Sequence, residues 1–86
     1  MCPIAITLKY KIMFNPSVRN IFVLKNYFKP FECSVYVSKN DDERKINGKS
    51  LLGWLSLGLI KYDTITLFFS DNVNVQNIKR HFRLII

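Results

Sequence analysis

Apolar and polar residues alternate from Ile4 to Ile12, with Ile4, Ile6, Leu8, Tyr10 and Ile12 on one side and Thr7, Lys9 and Lys11 between them. A period of two predicts a half-buried strand. The period then lengthens: Val18, Ile21, Leu24 and Phe28 recur at helical spacing, and Arg19, Asn20, Lys25, Asn26 and Lys29 occupy the rest of the cylinder. An amphipathic helix follows. Its start is open between two residues, since Asn15 can cap with Pro16 in the first helical position and Ser17 can cap instead. Pro30 ends it.

Alternation returns with Cys33, Val35 and Val37 against Ser34, Tyr36 and Ser38, a second strand. The polar run Lys39 to Lys45 reads as a long turn into a short third strand. In KSLLGWLSLGLIKYD, Ser50 can cap a helix of about two turns and Gly58 can end it in a left-handed conformation. From Thr64 to Phe69, Ile65, Leu67 and Phe69 alternate with threonines and Phe68, a fourth strand that SDNVN closes. In the last segment Ile78, Phe82 and Ile85 share one helical face and Lys79, Arg80 and Arg83 another. The order βαββαβα predicts an α+β open-faced sandwich, a four-stranded antiparallel sheet with three helices on one face. There is no linker or repeat, so residues 1–86 are read as one domain.

With 86 residues the chain can build one modest core, and its 49% hydrophobic content is too high for a disordered chain. The formal charge of +7, from 13 Lys and Arg against 6 Asp and Glu, suits phosphate-bearing or acidic partners and also suits a merely solvated basic surface. Cys2 and Cys33 are too far apart for a CxxC pair and too few for a structural zinc site, so both are expected to be reduced and no metal or cofactor is expected. The amino terminus lacks a basic region ahead of an apolar one, and the longest apolar run, Leu51 to Ile60, is about half a membrane span. A soluble, cytoplasmic protein without membrane partners is expected. With no Ser/His/Asp set, no metal constellation and no glycine-rich phosphate loop, an enzyme is not expected.

The segment KSLLGWLSLGL, Lys49 to Leu59, resembles the stretch around the regulatory serine of HPr, the histidine-containing phosphocarrier family of the bacterial phosphotransferase system. That family shows Lys-Ser, two apolar residues and a MSLGI-like ending. The resemblance extends over nearly the whole chain in element order, with a couple of extra residues around Asp41 and Asp42, and implies an HPr-like fold. The family's catalytic motif reads Gly-Leu-His-x-Arg-Pro-Ala. Aligned backwards from Phe31, it falls on Asn15-Pro16-Ser17-Val18-Arg19-Asn20-Ile21, which puts Arg19 on the arginine and Ser17 on the histidine. A gapless alignment from the amino terminus puts Asn15 at the histidine but misplaces the arginine. Either way the histidine is replaced.

The replacement has chemical weight. Neutral imidazole is nucleophilic near pH 7 and releases phosphate easily; a serine hydroxyl needs an added base, and its phosphate ester is too stable to pass onward. The sole histidine, His81, lies on the last helix between Arg80 and Phe82, where it reads as a surface residue beside basic neighbours rather than a displaced acceptor. What remains at the first helix is an anion site: the free N–H groups around Ser17 and Val18 and the guanidinium of Arg19, set against the plainer reading of a cap beside an exposed arginine. Ser50 falls on the serine that a dedicated kinase modifies in some members, and Lys49 beside it would favour a phosphate; the plainer reading makes Ser50 a helix cap.

Leu51, Leu52 and Leu55 fall on the apolar patch through which the family docks partners. They cannot all face the core together with Trp54, Leu57 and Leu59. The resemblance implies a degenerate or regulatory member that binds phosphotransferase-system proteins or a regulatory protein. A phosphocarrier with a non-standard acceptor is the alternative within the family. From another class comes a single-stranded nucleic-acid binder, suggested by the charge and by Tyr36 and Phe68 as stacking platforms, although no RRM-type motif is present.

Overall fold

The computed structural model describes residues 3–85, so Cys2 lies outside the described residues. The elements run β1 (Ile6–Lys11), α1 (Val18–Phe28), β2 (Val35–Lys39), β3 (Ile46–Asn47), α2 (Leu51–Ser56), β4 (Thr64–Phe69) and α3 (Val75–Leu84). The sheet order is β1-β4-β2-β3 and every pairing is antiparallel. Each predicted element forms. The last strand in sequence takes a central place, between β1 and β2, and that explains why Ile65, Leu67 and Phe69 have no measurable exposure.

One face of the sheet carries Leu8, Val35, Val37, Ile65, Leu67 and Phe69, which join Ile21, Leu24 and Phe28 of α1, Trp54 of α2, and Ile78 and Phe82 of α3 in a single core. Tyr10 stacks on Phe82 at 4.3 Å between ring centroids and fixes α3 over β1. Phe28 stacks on Trp54 at 6.4 Å and couples α1 to α2. The opposite face has no helix over it. Ser38 and Thr66 point to that side and are nonetheless buried. Their side chains are short, and the ion pair from Lys9 on β1 to Asp41 after β2 (3.0 Å) spans the strand between them.

Several boundaries differ from the sequence pattern. Ile4 is exposed and lies outside β1, and β2 begins at Val35 rather than Cys33. At that end Ser34 donates its N–H to the Ser70 hydroxyl (2.8 Å) while its carbonyl accepts the Ser70 N–H (3.1 Å), so a side chain replaces one of the two ladder bonds. Ser17, not Asn15, caps α1, and Pro16 precedes the helix. Asn15 serves through its carbonyl, which accepts from the Ser17 N–H at 2.8 Å and the Asn20 side chain at 2.7 Å.

Two glycines are needed where they stand. A Cβ on Gly48 would come within 2.7 Å of Val35 Cγ1, so the turn before α2 could not approach β2. Gly58 has φ +60° and reverses the chain after α2, as its position predicts.

Candidate functional site: the cleft between the first and last helices

Ser17 accepts the Asn20 N–H on its Oγ at 3.2 Å and opens α1. The N–H groups of Val18 and Arg19 meet no acceptor among the described residues, and the first turn holds no acidic side chain. Arg19 is exposed and makes no ion pair among the described residues. Positive partial charge from the helix end and a full guanidinium charge therefore face solvent together, an arrangement that favours an anion.

This helix end opens into a cleft of about 520 Å³. One wall is Asn15, Ser17, Arg19, Asn20 and Val23; the other is His81, Leu84 and Ile85 from the end of α3. The antiparallel run of α1 and α3 brings the two walls together. Sequence reasoning expected His81 to be a surface residue away from this mouth. It is instead half-buried and lies flat on Tyr27, 3.8 Å between centroids at 9°. Its Nε2 is buried and has no hydrogen-bond partner among the described residues. Burial pushes the imidazole pKa below its usual 6.5, so the ring is neutral at pH 7. The signal was present in the sequence: three residues after Ile78 and four before Ile85, His81 flanks the apolar stripe of α3 rather than opposing it.

His81 does not restore the missing acceptor. The ring lines the far wall of the cleft but lies flat on Tyr27, which holds it in a packed position. Its unpaired nitrogen is turned away from solvent.

The second predicted site surrounds Ser50, whose Oγ accepts the Gly53 N–H at 3.2 Å and caps α2. Lys49 does not wait beside it for a phosphate. Its ammonium donates to the Phe31 carbonyl and ties the turn to the end of α1. At the other end of α2, Arg44 donates to the Ser56 carbonyl (3.0 Å) and Lys39 to the Leu57 carbonyl (3.2 Å), which satisfies the end of the helix with cations.

The three leucines of α2 separate. Leu51 is half-buried against the core, Leu55 is 40% exposed, and Leu52 is 78% exposed. Trp54 is buried and donates its indole N–H to the Gly48 carbonyl at 2.8 Å. On α1, which packs against α2, Val18 and Phe22 are also exposed. Among the described residues no group of His, Cys, Asp and Glu could hold a metal, and no helix is long and apolar enough to cross a membrane.

Sheet order and helix placement define an open-faced α+β sandwich. Two solved structures share it closely. A crystal structure of HPr-C-His from Thermoanaerobacter tengcongensis aligns with a TM-score of 0.75 over 93% of this chain and 90% of that one, at 22% identity. The phosphocarrier protein HPr from Bacillus anthracis str. Ames aligns with a TM-score of 0.72 over 90% of each chain, at 15% identity. No protein-family model and no curated protein matches the sequence. The chain has the HPr fold.

Proposed function

We propose that this chain is a degenerate or regulatory relative of the phosphocarriers, acting by docking onto partner proteins rather than by passing a phosphoryl group. The observation that carries the reading is Leu52: a large apolar side chain 78% exposed on a helix whose neighbouring Trp54 is buried. A side chain left in water by folding is available to a partner, and Arg19 in the first turn of α1 adds a charge that would orient an acidic or phosphorylated surface. The partners are proteins of the phosphotransferase system or a regulatory protein, and the site of action is the cytoplasm. Ser50 is a substrate for a serine kinase in this reading. A phosphate there would gain from the first turn of α2, without help from Lys49.

Transfer is disfavoured on chemical grounds. The mouth offers a serine hydroxyl already engaged as a cap, and the one imidazole lies flat on Tyr27 with its Nε2 buried. The test is incubation with the first enzyme of the phosphotransferase system and phosphoenolpyruvate, followed by intact mass before and after acid treatment. No acid-labile phosphate is expected, whereas its appearance would replace docking with transfer. In parallel, Leu52→Glu is expected to abolish binding to the phosphotransferase proteins while leaving the fold intact.

A further inference from the structure

The sheet face turned away from the helices is uncovered, and the strand register places Thr7, Phe68, Tyr36 and Asn47 in one row across all four strands. The two rings occupy the two central strands and are directly opposite one another. Both are half-buried, with part of each ring open to solvent. One lysine ammonium lies on a ring and two more lysines share the face: Lys45 Nζ stands 4.9 Å from the Phe68 centroid, and Lys9 and Lys11 project from β1 on the same side as Thr7, Lys11 Nζ resting 5.6 Å from the Tyr62 centroid. None of the four strands contains Asp or Glu. Asp41, which reaches over this face, is taken up by Lys9. A shallow depression of about 180 Å³ beside Tyr36, with the Asn47 amide in its wall, lies at the end of the row.

We propose that this face binds single-stranded nucleic acid, with one base on Phe68 and a neighbouring base on Tyr36. Paired rings on strands that carry lysines and no acidic residue match a polymer whose flat bases alternate with phosphates. Lys45 rests on Phe68 when nothing is bound. A base taking its place frees the ammonium for a phosphate, and the exposed cation–π contact given up is weaker than base stacking. Lys11 tracks the backbone on the β1 side. A duplex, with its bases already stacked, offers these rings nothing. The proposal uses the face opposite the helices and stands independently of the docking reading.

Fluorescence anisotropy of the full chain with a labelled single-stranded oligouridylate, and with an RNA duplex of the same length, tests it. Salt-dependent binding to the single strand is expected. Phe68→Leu and Tyr36→Leu each remove a ring and should raise Kd by about 5- to 100-fold. Tyr36→Phe keeps the ring and should bind as the unaltered chain, so a folding defect at one position leaves the other informative. Lys11→Gln should reduce the slope of log Kd against log salt by about one, and Leu52→Glu should change nothing. The proposal is overturned by absence of binding, by equal affinity for the duplex, or by affinity that ignores both rings and falls only with Arg80→Gln and Arg83→Gln on α3.

Discussion

The chain enters α1 and α2 through the same device and obtains two different surfaces. Ser17 and Ser50 each accept the N–H three residues on, both at 3.2 Å. Beyond the cap the regions diverge. α1 is eleven residues long, its mouth opens into a cleft, and Arg19 stands there without an acidic partner among the described residues. α2 is six residues long, its neighbouring cation Lys49 is spent on the Phe31 carbonyl, and its far end is held by Arg44 and Lys39. A cap specifies where a helix begins. What the beginning can bind is set by which charges the rest of the fold has left unengaged.

The comparison breaks first at Trp54, because α2 is too short to hold itself in place and depends on that anchor. Trp54→Ala removes the stack on Phe28 and the bond to the Gly48 carbonyl, and is expected to cost about 3–5 kcal/mol in urea unfolding. A loss below about 1 kcal/mol would mean that α2 is held by its end contacts instead. Next come the caps themselves. Ser17→Ala and Ser50→Ala should each cost about 1 kcal/mol, since the geometry is shared. Under titration with inorganic phosphate, however, amide shifts are expected at Val18 and Arg19 and not at Leu51 and Leu52; equal shifts at both mouths would erase the distinction drawn between them.

Leu52→Glu should alter stability by no more than about 0.5 kcal/mol, because the side chain is already in water. A larger loss in the same urea experiment would return Leu52 to the core and remove the basis for docking. Smallest at neutral pH is the contribution of His81. Its pKa is lowered by burial in the folded chain, so the unfolded state binds the additional proton, and stability falls as pH drops below about 6.5. His81→Phe keeps a ring over Tyr27 and should flatten the fall in melting temperature between about pH 7 and pH 5. Asp63 is expected to act lower, because hydrogen bonds from the Ile60 N–H and the Asn40 side chain, together with Lys39, hold its carboxyl below the usual range. Identical acid limbs for the variant and the unaltered chain would show that the imidazole is not desolvated.

Much of this architecture was legible before any coordinates. The alternation of Ile65, Leu67 and Phe69 and the helical recurrence of Ile21, Leu24 and Phe28 identify the buried faces, and Ser50 and Gly58 mark the two ends of α2. The candidate site was legible only in part. Arg19 and Ser17 were found at the start of a helix, but the opposite wall was not, because Leu84 and Ile85 reach it only through the packing of α3 against α1. His81 was misplaced for the same reason: its neighbours Arg80 and Arg83 suggested solvent, and the side of α3 it occupies became meaningful once Tyr27 was seen against it.

By itself the sequence determined the element order, the hydrophobic stripes and the helix caps, since each depends on residues within a few positions of one another. Tertiary structure alone decided that β4 lies between β1 and β2, that Tyr36 meets Phe68, that Lys49 is consumed by Phe31 while Arg19 makes no ion pair among the described residues, and that burial holds the imidazole pKa down. Those outcomes join residues remote in the chain, and their chemistry depends on desolvation and on competition for partners, which a local pattern cannot encode.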